Sequence, residues 1–317
     1  MRSLVGLVAL ALVLAQAPAS AECPRREHAA RPDAVDLANA GDKLRSTNID
    51  GAIEKYEAAV KIDPDDHRLW WKLALAYEKK EDWAKVASTC RSAEAAVERA
   101  FGKKTHADYY LRHGIALARL AHKGSGAWFD ALAPLQTAIA LDPNYAEAYG
   151  ELGWVCVHMD KDAGAIQAWI LAIAKAPETM RYYVALADLY RRWMFFDHAE
   201  KVLVEGLSFA KAGDKDLYAV HALLGGIYLT KGNVAGAVAE YEAAKASCAA
   251  TSCSDHREAF FHLGATYAAL TPPRKNEAVQ QLQMFWKTTC KGALAQRYAD
   301  ECADARDIVT RLGVVVQ

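Results

Sequence analysis

The chain carries ten histidines and seven cysteines, residue types that hold metals or attack substrates. Their spacing builds neither kind of site. His256 and His262 stand six apart, not the four that put two imidazoles on one helix face, and no H-E-x-x-H occurs. His158 and Asp160 are close but sit near a helix end. No two cysteines are spaced C-x-x-C, so a thioredoxin-like pair, a c-type haem attachment and a zinc ribbon are not indicated. There is no G-x-S-x-G elbow, no phosphate-binding G-x-x-x-x-G-K-[ST] loop and no dinucleotide fingerprint. The acidic pairs Asp65–Asp66 and Glu81–Asp82 fall at turns, where carboxylates answer helix ends or water rather than share a proton. Nothing points to an enzyme, a metal or a cofactor.

The remaining chemistry is oxidative and depends on compartment. Arg2 gives a positive start, Leu4 to Leu14 is apolar, and Ala17 to Ala21 supplies small residues, with Ala19 and Ala21 at −3 and −1 of a cut. This reads as a secretory signal peptide over residues 1–21. The apolar run is well short of the ~20 residues a spanning helix needs, so no stable membrane span follows cleavage. Cys23 suggests a lipoprotein, but Glu22 stands where that processing wants a small residue. The expected location is periplasmic, in a bacterium, or secreted. There disulfides persist, and Cys248 with Cys253 and Cys290 with Cys302 are the candidate bridges. Cys90 and Cys156 read as buried free thiols, which leaves Cys23 over.

The elements that carry these residues follow one pattern, clearest from Ala146 to Thr179. Tyr149, Leu152, Gly153 and Cys156 fall on one face of a first helix. Ala165, Trp169 and Ala172 follow at helical spacing, and Pro177 marks the exit. The small Gly153 and Ala165 let the two helices approach closely. Such a pair cannot bury its apolar face alone, and copies lie on both sides. Upstream are Ala52, Tyr56, Ala59 and Pro64; then Trp70, Leu73, Ala74 and Tyr77; then Tyr110, Gly114, Leu117, Leu135 and Pro143. Downstream are Tyr183, Leu186 and Ala187; His221, Leu224 and Gly225; and Leu263, Gly264 and Tyr267.

These residues resemble the tetratricopeptide (TPR) repeat, whose period is ~34 residues. The resemblance implies an all-α, right-handed α-solenoid of about seven TPR helix-turn-helix repeats. The expected division is a flexible linker over residues 22–32, the TPR array over 33–289 and a C-terminal capping helix over 290–317. The helix after Trp83 runs on to about Phe101, where Gly102 breaks it. His122 to Asp130 inserts a loop, with Trp128 and Phe129 packing back onto the array. Trp193, Phe195 and Phe196 crowd the turn of the fifth unit. Ala293 to Leu312 reads as one amphipathic helix.

The resemblance also implies a concave groove lined by the first helices. By position it is formed by Arg68, Trp71, Leu75 and Glu78, then Leu111 and Ile115, then Trp154 and Val157, then Arg181, Val184, Asp188 and Arg191. The family's carboxylate clamp needs a Lys-Asn-Asn set that this chain lacks. The implied partner is an apolar peptide or protein with an acidic end near Arg181 and Arg191. A net charge of −1 gives no reason to expect nucleic acid or an anionic membrane. The functional expectation is an exported, non-enzymatic scaffold. The alternatives are an accessory or assembly factor of an envelope machine (outer membrane, pilus or secretion), or a cell-wall glycan-binding or glycan-processing protein.

Overall fold

Short apolar stripes at helical spacing, separated by prolines and turn residues, leave each helix with one face to bury and only its neighbours to bury it against. A computed structural model describes residues 28–251 and 257–314. The signal peptide, Cys23, His256 and the Cys248–Cys253 pair fall outside the described residues or side chains. The helices form seven hairpins: α1 (Pro32–Leu44) with α2 (Ile49–Ile62), α3 (His67–Lys79) with α4 (Trp83–Phe101), α5 (Ala107–His122) with α6 (Leu132–Leu141), α7 (Ala146–Val157) with α8 (Asp162–Lys175), α9 (Met180–Arg192) with α10 (Phe196–Leu207), α11 (Leu217–Thr230) with α12 (Val234–Thr251), and α13 (Glu258–Ala269) with α14 (Lys275–Thr289). Two more helices, α15 (Ala293–Arg297) and α16 (Ala299–Arg311), close the array. Each helix packs chiefly on its hairpin partner and then on the next hairpin. This is an all-α solenoid.

Within a hairpin, a small residue on the first helix faces a large one on the second. A Cβ on Gly153 would lie 2.5 Å from Trp169 Nε1, and one on Gly41 would lie 2.6 Å from the Tyr56 ring. Trp169 Nε1 donates to the Gly150 carbonyl at 3.1 Å, which fixes the indole in that space. The room left by Gly153 is therefore filled by Trp169. Tyr56 is fully buried in this way, and Tyr183 fills the reverse slot, its ring on the first helix against Gly206 of the second; each stabilises by about 1.5–3 kcal/mol.

The turns inside the hairpins share one hydrogen bond. The N–H of Asp82 reaches the Tyr77 carbonyl, Lys161 reaches Cys156, Phe195 reaches Tyr190 and Asn233 reaches Tyr228, at 2.8–3.1 Å. This six-to-one closure needs one left-handed residue. Gly232 supplies it without strain, whereas Glu81, Asp160 and Met194 adopt it at φ 54–60°. Pro64, Pro143 and Pro177 sit in the connections between hairpins, where no helical N–H is required.

Three expectations change. The stretch expected to be a flexible linker is tied down at its end: Asp63 accepts from His28 Nε2 at 2.7 Å and from the Arg31 N–H at 3.0 Å. The third hairpin carries its insertion as a short 3-10 helix, Trp128–Ala131, ahead of α6; Trp128 packs back, but Phe129 stays 67% exposed. The expected single capping helix is broken at Tyr298. The Tyr298 side chain turns inward and donates to Glu258 on α13 at 2.8 Å. Helix α4 does end at Phe101, with Gly102 left-handed behind it.

Candidate functional site: the face of the first helices

The first helices of successive hairpins lie side by side and are joined by ion pairs across the joints. Lys72 on α3 pairs with Asp42 on α1. Arg112 on α5 sits between Glu78 of α3 at 3.4 Å and Glu147 of α7 at 3.2 Å. Arg119 meets Glu151 at 3.3 Å, and its guanidinium stacks 4.4 Å above the Trp154 ring. Burial opposes the Arg112 charge, but the two glutamates outweigh it and hold its protonation constant above the ordinary value. This floor is half-buried, and its charges are already answered.

The twelve expected groove residues divide sharply. Leu111 is fully buried and Ile115 is 4% exposed, so they belong to the core and touch no partner. They pack with Leu135 of α6 and with Ala148 and Val155 of the next hairpin in one buried cluster. Trp71 and Trp154 are half-buried: Trp71 stacks on Tyr109 with ring centres 4.6 Å apart, and Trp154 meets Trp128 edge-on at 4.8 Å. Arg68 binds its own helix cap, Asp66, through two nitrogens at 2.8 Å. Burial pushes the Asp66 carboxyl up, but these bonds and the Arg68 N–H hold it below the usual carboxylate range. Glu78 is taken by Arg112. Arg191 is held by Asp188 at 2.7 Å, so the expected anion site at Arg191 is already filled by the chain itself. Leu75, Val157 and Val184 are half-buried and Arg181 is exposed. Arg181 donates to the Tyr182 hydroxyl at 3.1 Å.

Continued in the same register, the floor changes character. Hairpin six presents Ala222, Gly226 and Leu229, and hairpin seven presents Ala265 and Ala268 with the exposed Ala269 beside them, where hairpins two and five carry Glu78, Asp188 and Arg191. Helix α16 packs against both α13 and α14, where a further first helix would stand. Between α13 and α16 opens a cleft of about 230 Å³ lined by Ala265, Ala268, Ala269, Ile308, Arg311 and Leu312. The expected groove positions stop at the fifth unit and miss it. The alanines stand at the same helical spacing and were readable from it; the part played by α16 was not.

The histidines serve the fold. His67 bonds Tyr109 at 2.9 Å, His113 bonds Glu94 at 2.9 Å and His221 bonds Glu240 at 2.8 Å. His122 and His158 join the Trp128–Trp154 pair, with His158 stacked 4.1 Å from Trp128. Among the described residues, no three His, Cys, Asp or Glu side chains gather in a metal-binding arrangement, and no helix is long and apolar enough to cross a membrane. Cys90 and Cys156 are buried and free, and Cys290 and Cys302 meet at bonding distance with Cα atoms 5.8 Å apart. A separate apolar ridge stands on the hairpin-turn edge, where Trp193, Met194 and Phe195 are 56%, 71% and 53% exposed.

Residues 46–81, spanning α2 and α3, match the family model described as TPR repeat. Comparison with curated proteins gives no match. Among solved structures, the C-terminal part of a TPR repeat-containing protein from Cytophaga hutchinsonii superposes with a TM-score of 0.59 at 14% identity, covering 83% of this chain and 98% of that one. A tetratricopeptide repeat protein from Parabacteroides merdae gives a TM-score of 0.56 at 13% identity, covering 90% and 100%. MamA from Desulfovibrio magneticus RS-1 gives 0.50 at 17% identity, covering 57% and 97%. At these identities the likeness concerns the fold, an α-solenoid of TPR-type helix pairs.

Proposed function

We propose that the chain is an exported, non-catalytic scaffold that binds a protein or peptide partner along the face of its first helices. The observation that carries this reading is the construction of that face. Ion pairs from Asp42 to Glu151 tie α1, α3, α5 and α7 into one preformed surface. A preformed surface loses little freedom on binding, which is what a recognition platform requires. The half-buried tryptophans add the residue type that dominates binding energy at interfaces. Export rests on the signal-peptide pattern of residues 1–21. A periplasmic location suits the two candidate cysteine bridges, and a role as an envelope assembly factor is one form this scaffold would take.

The test is photo-crosslinking in cells, with the crosslinker at Arg181 on the face or at Ala84 on the outer side of α4, both exposed. Capture of a discrete partner from position 181 and not from 84 supports the reading. Capture from 84 alone, or from neither, overturns it.

A further inference from the structure

The cleft between α13 and α16 differs from the rest of the first-helix face in lining and charge. Five of its six residues are alanine, isoleucine or leucine, and the sixth, Arg311, is exposed. Every other arginine on the face of the first five hairpins is engaged: Arg68 by Asp66, Arg112 and Arg119 by glutamates, Arg191 and Arg192 by Asp188, and Arg181 by a tyrosine hydroxyl. Arg311 makes no ion pair or hydrogen bond among the described residues. It does not serve as a cap for its own helix end either. The backbone N–H groups of Leu312, Gly313 and Val314 answer the carbonyls of Ile308, Thr310 and Val309 at 3.0–3.2 Å. The cation therefore stands at the rim of an apolar cleft with its hydrogen bonds open to a ligand.

Size narrows the ligand. A dry cavity of about 150 Å³ takes a benzene ring, whereas small-molecule pockets run to about 300–1,000 Å³. At about 230 Å³ the cleft holds one branched aliphatic side chain with its own backbone. A long acyl chain or a drug-sized molecule would overfill it.

Resting on the scaffold reading above, we infer that this cleft receives the C-terminal residue of a peptide partner. An aliphatic side chain lies on Ala265, Ala268 and Ile308, and the α-carboxylate is paired with Arg311. The pairing is charge-assisted and can be bidentate, which gives it geometric as well as energetic selectivity. The rest of the peptide would run toward hairpin six over Ala222 and Gly226, where small residues leave room for a backbone.

The test uses the secreted form of the full chain and a fluorescein-labelled Gly-Ser octapeptide ending in Leu with a free carboxylate. Fluorescence anisotropy should show saturable binding. It should weaken about tenfold or more when the peptide is C-terminally amidated and when Arg311 is changed in Arg311→Gln, consistent with loss of one charge-assisted pair. Arg311 is exposed, so this variant should fold as the parent does, checked by circular dichroism. Equal binding of acid and amide overturns the inference, as does displacement by octanoate at peptide-like concentrations. A chain truncated after Val314 that binds more than tenfold tighter would name the chain's own last residues as the occupant and overturn it too. The crosslinking of the preceding proposal separates the two readings. Capture from position 181 that Arg311→Gln leaves unchanged, with no peptide binding, sinks the cleft and keeps the scaffold; no capture and no binding sinks both.

Discussion

His28 Nε2 stands 2.7 Å from Asp63 Oδ1, across 35 residues of chain, and the Asp63 side chain is 3% exposed. Burial pushes this carboxyl up, but the hydrogen bonds from His28 and the Arg31 N–H outweigh it and hold it below its ordinary value. A carboxyl depressed in the fold stabilises fully above its unfolded value of about 3.9 and loses that contribution as pH falls through the folded value. His262 acts in a higher window. Burial lowers its constant against the pull of Glu258 and Glu301, so its contribution is present above about pH 6.5 and declines as the unfolded chain takes up the proton. Thermal melts should therefore weaken in two stages on acidification. His262→Gln should reduce the upper stage, which His106 shares, and leave the lower; Asp63→Asn should reduce the lower stage, which Asp42 and Asp66 share, and leave the upper.

Arg112 ties three hairpins together through Glu78 and Glu147. Removing it in Arg112→Ala leaves Glu78 and Glu147, both partly buried, without a counter-ion, a loss of about 1–3 kcal/mol. Arg112→Lys should recover only part, because an ammonium cannot spread over two carboxylates as a guanidinium does. Urea melts of the two variants check this. A melt of Arg112→Ala that matches the parent would mean the pairs are screened as surface pairs are.

How much of this was legible in the sequence follows from what is local. Tyr149, Gly153 and Trp169 fix a hairpin by spacing alone, because a 3.6-residue period puts them on facing stripes whatever lies beyond. The break at Phe101–Gly102 was readable for the same reason. The burial of Leu111 was not, since it depends on how α5 packs against both α6 and the next hairpin. Nor was the pairing of Arg191, which reflects a rotamer choice between Asp188 and solvent. The His28 tie and the kink at Tyr298 escaped because their partners, Asp63 and Glu258, lie 35 and 40 residues away. The cleft at Arg311 exists only once α16 has taken the place of a further first helix.

Met194 adopts φ 60° at the tip of the fifth hairpin and is 71% exposed. Left-handed backbone costs a side-chain-bearing residue about 1 kcal/mol that glycine avoids. Met194→Gly should therefore leave stability equal or raise it by up to about 1 kcal/mol, despite the entropy of glycine in the unfolded chain. It should also reduce the apolar ridge. A loss above about 1 kcal/mol in chemical denaturation would show that the Met194 side chain makes a contact worth more than the backbone relief.

Trp71 and Trp154 look like twin groove probes, but their surroundings predict a different outcome from truncation. Trp71 is stacked on Tyr109, and Trp154 is packed between Trp128 and Arg119. Trp71→Ala and Trp154→Ala should each cost about 2 kcal/mol or more by loss of packing. Lost partner capture in such variants would report unfolding as readily as a lost contact. Trp71→Phe and Trp154→Phe should retain the fold, and differential scanning fluorimetry distinguishes the two classes.

Cys290 closes α14 and Cys302 lies on α16, the helix that carries Arg311. A bridge between them, across 12 residues, would stabilise by about 3 kcal/mol in the loop-entropy account. A repeat array does not unfold as one unit, so the effect should be confined to the end of the chain. Reduction should raise hydrogen exchange in α15 and α16 by one hundredfold or more, while α1 to α8 stay protected. The same treatment should weaken peptide binding at the cleft, because Ile308, Arg311 and Leu312 are held against α13 only as firmly as α16 is. Unchanged exchange in α16 would show that burial of Ala305 and Val309 suffices to hold it and that the bond adds nothing to the cleft.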